Sequence, residues 1–483
     1  MWHGAFFRVK LYRQKQNTQE VHALQRITQA NEFENQLSSS IDAFFNAFGI
    51  RHILKKAGAC KAKGIPVAYI FRRLFGLVFC HKTLFTALRA NDTSEPAKDV
   101  FYRFINSVRI NWMRFTTLLA ALIAKERIVE LTDEKRINVF IVDDTPYERN
   151  RSKKAELLSW VHDHAKGAYI KGFRLLTLGW SDGNTFLPVN SCLLSSSEKG
   201  NGRISEAREI DKRTCGYRQR QLAQGTAPAA MMEMLRLAIE TGLHASYVLF
   251  DSWFSSPKAI LDVKKEGLDV IAMVKKTSRV HYRYEGKKQS VCAIYKRNKK
   301  RRGRSRYLLS TEIEVFGKEG SIPARLVFVR NRNKKKEYLV LISTDMLLSE
   351  EEIIRIYGKR WDIEVFFRVC KSYLHLTKEC QSLSYDAMTA YVAVVFARYM
   401  MLALANRIEK DDRTMGMLFS DLCDELADIK WLEALNLLMR TFASYLSEKL
   451  FLDETEVMRL LDAFMENLPA LLQNKLFESA KVA

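Results

Sequence analysis

The stretch that decides the fold is Ile137-Asn138-Val139-Phe140-Ile141-Val142, followed at once by Asp143-Asp144-Thr145-Pro146. A short β-branched apolar run of this kind has the character of a strand buried in the centre of a sheet. The turn-forming DDTP predicts that the strand stops abruptly, leaving an acidic pair at its C-terminal end. Downstream, residues 172–180 and 185–194 read as two further strands, joined across Ser181-Asp182-Gly183-Asn184, a strong hairpin signal. A helix follows over 231–241. Residues 246–250 (SYVLF) form a second buried strand that delivers Asp251 at its end, then come a helix from Ser256 and a strand over 270–274.

Strand, hairpin, helix, strand, helix, strand is the order of an RNase H-like core, in which acids at the ends of central strands converge on metal. The expected fold class is therefore α/β: an RNase H-like catalytic core with a β-rich insertion, flanked by helical N- and C-terminal regions. The boundaries expected are a helical DNA-binding domain over 1–130, the first part of the core over 131–274, a basic β-rich insertion over 275–348, the last core helix over 349–395 and a helical region over 396–483.

Each flank has its own signal. Residues 20–128 carry apolar side chains at three and four spacing, with a helix start at Gly64-Ile65-Pro66. Within them, 67–88 mixes an apolar face with Arg72, Arg73, His81 and Lys82, which suits either a helix-turn-helix reader or a packed helical pair with solvated ends. Residues 275–306 hold many Lys and Arg against the single acid Glu285, and KRNKKRRGRSR (296–306) is too polar to fold alone. It reads as a flexible basic tip, either a solvated loop or a phosphate contact, followed by strand-like runs over 306–316, 324–331 and 337–344. From Ser349 the pattern is helical, first through 373, then over 390–408, 415–426 and 433–447.

Composition narrows the partner. The 483 residues (55.9 kDa) exceed what one core organises, so two or three domains are expected. A net charge of +22 and a pI near 9.5 make a field attractive to polyanions, nucleic acid first. Eight scattered cysteines, none at the spacing of a zinc knuckle or redox pair, fit a reducing cytosol. No signal peptide or membrane span is indicated, because the most apolar stretch, 389–404, is broken by Arg398. A cytoplasmic, nucleoid-associated protein without a membrane partner is expected. There is no GxxxxGK loop or GxSxG elbow to support an NTPase or serine hydrolase. His162 and His164, without a third ligand nearby, read as structural or DNA-proximal rather than as a metal pair.

The chemistry gathers in YGKRWDIEVFFRVCK (357–371). On a helix, Tyr357, Arg360, Glu364 and Lys371 fall within an arc of roughly 60°, while Ile363, Val365, Phe366 and Phe367 can face the core. Arg360 and Glu364, four apart, would also suit a plain surface ion pair. Their coincidence with two strand-end aspartates favours acidic ligands converging from separate elements, as metal-assisted phosphodiester chemistry requires.

The spacing Y-x2-R-x3-E-x6-K, with Asp144-Thr145 and Asp251 after hydrophobic strands and a β-rich insertion before Glu364, resembles the insertion-sequence-4 family of DDE transposases over roughly residues 137–391. The resemblance implies that Asp144, Asp251 and Glu364 are catalytic and bind two divalent ions, Mg²⁺ with Mn²⁺ able to substitute. It also implies that Tyr357, Arg360 and Lys371 contact double-stranded DNA at the transposon ends, and that a homodimer pairs the ends. Trp361 either helps hold a distorted end or packs in the core. Strand alternation lets only one of Asp143 and Asp144 reach the metals; Asp144 is chosen because it directly precedes Thr145. The expected function is that of a bacterial insertion-sequence transposase. A metal-dependent RNase H-like nuclease without strand transfer and a DNA-binding derivative of a transposase are the alternatives.

Overall fold

The computed structural model describes residues 39–61, 63–89, 96–131, 136–163, 166–196, 201–205, 209–301, 305–318, 320–331, 337–408, 414–450 and 453–467. The helical expectation over 20–38 lies outside them, as do His164 and the centre of the basic tip, 302–304. The fold is mixed α/β. In chain order its helices are α1 Ser40–Ala47, α2 Ile50–Lys56, α3 Val67–Gly76, α4 Leu84–Leu88, α5 Lys98–Ile105, α6 Trp112–Ile123, α7 Cys215–Gln224, α8 Ala227–Glu240, α9 Pro257–Lys265, α10 Val291–Arg297, α11 Glu350–Gly358, α12 Trp361–Ser372, α13 Tyr385–Ile408, α14 Met415–Leu450 and α15 Glu454–Glu466.

The chain divides into two compact units, one of 48–75 with 83–415 and one of 1–47 with 76–82 and 416–483. In the latter, Phe79 meets Phe419 with ring centroids 5.5 Å apart, and Ser40 N donates to Glu425 Oε1 at 2.5 Å, so separated pieces of sequence pack onto α14. Residues 415–426 and 433–447, expected as separate helices, belong to the single α14. No proline or glycine between them interrupts it.

The larger unit is built on one sheet. Its strands among the described residues are β1 Val139–Glu148, β2 Ser159–Asp163, β3 Ala168–Ser181, β4 Phe186–Leu194, β5 Tyr247–Phe250, β6 Asp269–Met273, β7 His281–Tyr284, β8 Lys287–Ser290, β9 Tyr307–Gly317, β10 Gly320–Arg330 and β11 Tyr338–Ser343. They run in the order β2-β3-β1-β5-β6-β11-β10-β9-β7-β8, with β4 also paired to β3. The basic segment thus does not form a separate sheet: β11 pairs with β6 and carries the insertion strands outward from the core.

The strand at 137–142 is real but does not stop where DDTP predicts. β1 continues through Pro146 to Glu148, paired with β3 from Val139↔Ser181 to Glu148↔Gly172. The reason lies on its other edge. β5 pairs only with 139–142, so the second half of β1 has one open side, where proline's missing N–H is tolerated. The hairpin of β3 and β4 forms as expected. Two pieces carried no clear sequence signal: β2 on the edge of β3, and a β7–β8 hairpin with α10 inside the basic stretch.

Among the N-terminal helices, α3 buries Ile70, Phe71, Leu74 and Phe75, and Phe71 meets Phe115 of α6 edge-on at 5.0 Å. Two arginines are sealed inside the larger unit. Arg220 is bonded bidentately to Glu156 (2.7 and 2.9 Å) and to Asp386 (2.9 and 2.8 Å). Arg398, in the middle of α13, pairs with Glu379 and donates to the carbonyls of Phe75 and Leu74 at 2.9 and 2.6 Å. By length and composition α13 could cross a membrane; 94% of its apolar window is buried inside the protein.

Candidate active site

β1 and β5 run parallel and in register, Val139↔Tyr247 through Val142↔Phe250. Each leaves the ladder on an acid, Asp143 after Val142 and Asp251 after Phe250, so the next register position sets the two aspartates side by side. Paired residues of a sheet share a face and neighbours in sequence alternate. Asp143 therefore lies on the face of Asp251, and Asp144 on the other.

α12 is laid across the Asp143 face. Lys371 Nζ donates to Thr145 Oγ1 at 2.6 Å, and Arg360 Nη1 to Asp143 Oδ2 at 2.6 Å, while its other amino group bonds Glu364. The ion pair of Arg360 and Glu364 thus exists, but as part of a bridge to β1 rather than as an isolated surface pair. Burial pushes the Asp143 carboxyl up to about 7, against the pull of Arg360, and the nearby charge of Asp251 adds to the rise. Burial likewise raises the Tyr357 phenol, which stands near Arg360, Asp251 and Asp143. Burial lowers the Lys371 ammonium, opposed by Asp163 and Glu148.

The helix expected over 349–373 is two. α11 ends at Gly358 and α12 starts at Trp361, with Lys359 and Arg360 between them. Tyr357 consequently approaches from α11, and Arg360, Glu364 and Lys371 from the start and body of α12. Ile363, Phe366 and Phe367 are buried as expected, whereas Val365 is exposed. Trp361 is 55% exposed, which overturns the core-packing alternative for it.

On the opposite face, Asp144 is ion-paired with Arg174 of β3. That guanidinium lies 4.9 Å from the ring centroid of Trp253, and Lys275 Nζ lies 4.1 Å from it. Trp253, 48% exposed, follows Asp251 closely, and its backbone N–H donates to Asp251 Oδ1 at 2.8 Å. Arg174, Trp253 and Lys275 were missed as neighbours of the acids. An aromatic two residues after a strand-end aspartate was the one signal for them. His162 sits apart, exposed on β2 and edge-on to Tyr169 at 5.1 Å.

The donor set suits a hard divalent cation, since carboxylate oxygens are what such ions select. Two of these carboxylates, Asp143 and Glu364, already converge on one positive charge, the Arg360 guanidinium. Among the described residues no three such side chains stand close enough to hold one ion. The residues thus fit the cation in kind, with Asp143 near Asp251 and bridged to Glu364 through Arg360, but they do not stand as a ready three-carboxylate cage.

Residues 78–317 match the family model described as DDE superfamily endonuclease. The match supports a DDE transposase-type family, a transposase- or nuclease-type activity and DNA as the substrate. It takes in Asp143, Asp144 and Asp251 and ends ahead of Glu364, which rests on its sequence spacing and its geometry. No curated protein matches the chain.

Proposed function

We propose that the chain is the transposase of an insertion sequence, binding terminal inverted repeats and carrying out cleavage and strand transfer on an RNase H-like core. The observation that carries this reading is that Asp143 and Asp251 each directly follow the last in-register pair of β1 and β5, with the Arg360–Glu364 pair bridged to Asp143. Asp143, Asp251 and Glu364 are the proposed ligands of two divalent ions, Mg²⁺ or Mn²⁺; Asp144, paired with Arg174 on the other face, gives up the place that its position before Thr145 suggests. If bound there, such ions would supply activation of water and then of the freed 3′-OH, and charge stabilisation at the leaving oxygen.

The protein's own groups do the positioning. Arg360 offers a guanidinium whose fork matches phosphate oxygens, and Lys371 a second cation about three turns further along the same face of the helix. Tyr357 closes the site from α11, and exposed Trp361 is placed to meet DNA rather than the core. Work as a homodimer with two ends paired is taken from the family resemblance.

The test is DNA bearing the repeats that flank the gene, incubated with Mg²⁺ and a target duplex. Cleavage followed by joining is expected. Cleavage without joining identifies a nuclease, and binding with neither identifies a DNA-binding derivative. In the same assay, Arg360→Ala or Lys371→Ala is expected to weaken end binding and to reduce the slope of log K against log salt by about 0.9 for each phosphate no longer neutralised. A slope identical to that of the unaltered chain would remove these side chains from the DNA interface.

A further inference from the structure

The geometry points to Lys359, with the turn at Ser181-Asp182-Gly183, as the strut that positions Arg360 and Glu364; this rests on the metal-site reading above. Lys359 occupies the break between α11 and α12. Its ammonium donates to the carbonyl of Ile137 at 2.5 Å and to that of Asp182 at 3.3 Å. Ile137 lies just ahead of β1, so consecutive residues of the break hold the same strand at two points: Lys359 grips its approach and Arg360 its Asp143.

The turn that receives Lys359 is itself built to be rigid. Asp182, almost wholly buried, accepts from the backbone N–H groups of Asn184 and Thr185 at 2.9 and 2.7 Å, and pairs with Arg136 and Arg407 at 3.3 and 3.1 Å. Ser181 Oγ donates to Asp362 Oδ2 at 2.7 Å, tying the first turn of α12 to the same place. Gly183 has φ +94°, and a Cβ there would stand 2.9 Å from Lys359 Nζ, so the turn leaves room for this one side chain. Burial lowers the Lys359 pKa, in keeping with an ammonium whose work is done among carbonyls rather than in water.

A carboxylate set that must converge from separate elements depends on how those elements are held; loss of a group bonded directly to a ligand typically costs about 10–100-fold in metal affinity, and Lys359, one step further out, belongs at the low end of that range. The probe is Mn²⁺ alone, titrated into the full-length chain without DNA and followed by the paramagnetic resonance signal of the free ion, well below each variant's unfolding midpoint. Lys359→Met is expected to weaken Mn²⁺ binding by about tenfold or more, while Asp362→Asn, which still accepts from Ser181, matches the unaltered chain. A contribution to stability alone would leave binding per folded molecule untouched. Ser181→Ala, a smaller lesion in the same strut, is expected to weaken binding less and carries the test if Lys359→Met does not fold. Unchanged Mn²⁺ affinity in Lys359→Met and Ser181→Ala, with Glu364→Gln weakened, overturns the strut and leaves the metal site standing. Unchanged affinity in Glu364→Gln as well overturns both, and places the fault in the site assignment.

Discussion

Asp143→Asn is expected to lower DNA cleavage by on the order of 1,000-fold or more, about 4 kcal/mol of transition-state stabilisation, while Asp144→Asn loses less than about tenfold, in line with the small worth of a partly exposed ion pair. The asymmetry follows from the ladder. Asp143 follows the last β1–β5 register pair just as Asp251 does, lies near it, and is bonded to the arginine that also holds Glu364. Asp144 points to β3 and pairs with Arg174. Amides keep the shape of the carboxyl but cannot carry its charge, so Asp251→Asn and Glu364→Gln should match Asp143→Asn. In all three, end binding should survive, because the Lys and Arg groups proposed to meet phosphate are intact. Cleavage rates and gel-shift affinities on the same end-bearing duplex decide the matter. An inactive Asp144→Asn beside an active Asp143→Asn would reverse the assignment.

The second large effect concerns folding. Glu156→Ala or Asp386→Ala should each cost about 3–5 kcal/mol, because either leaves part of the Arg220 guanidinium uncompensated in a site closed to water. Against a total of roughly 5–15 kcal/mol for a folded domain, that is a third or more of the margin. The urea midpoint of the larger unit should fall markedly. Replacing Arg220, Glu156 and Asp386 together by apolar residues of similar volume should cost far less, since the expense lies in breaking the set rather than in lacking it. Equal losses in the single and triple variants would show that packing, not stranded charge, sets the effect.

How far these sites could be read from the chain depends on how locally each is encoded. The buried runs at 137–142 and 246–250 and the hairpin at 172–194 were legible because apolar continuity and turn chemistry are local signals. The choice between Asp143 and Asp144 was not, since it hangs on the register of β1 against β5. Even so, VFIV before Asp143 and YVLF before Asp251 are runs of equal length, which was a clue. The extension of β1 was hidden because the tolerance for Pro146 comes from an open strand edge, not from the sequence around it. The β7–β8 hairpin and α10 were hidden in the basic stretch; there Tyr282, Val291 and Ile294 are buried, and aromatic rings carry cations, Arg297 over Tyr284 and Lys300 over Tyr295. The break at Lys359 left Tyr357, Arg360 and Glu364 in their helical spacing, so the periodic stripe could not reveal it.

The buried partnership of Arg398 has a consequence in time. Arg398 closes on the carbonyls of Phe75 and Leu74, more than three hundred residues earlier in the chain, and on Glu379. Arg220 likewise waits for Asp386. Translation delivers the early strands well before α13, so the carbonyls of Leu74 and Phe75 wait for Arg398, and Arg220, already able to meet Glu156, waits for Asp386 until α13 is made. Stalled nascent chains ending ahead of α13 should be cut readily by protease, and chains carrying all of α13 clear of the ribosome should resist it. Glu364, on the helix just before α13, emerges in the same interval. Completion of the core and of the proposed carboxylate set thus falls in one interval, and a chain stopped before it lacks both.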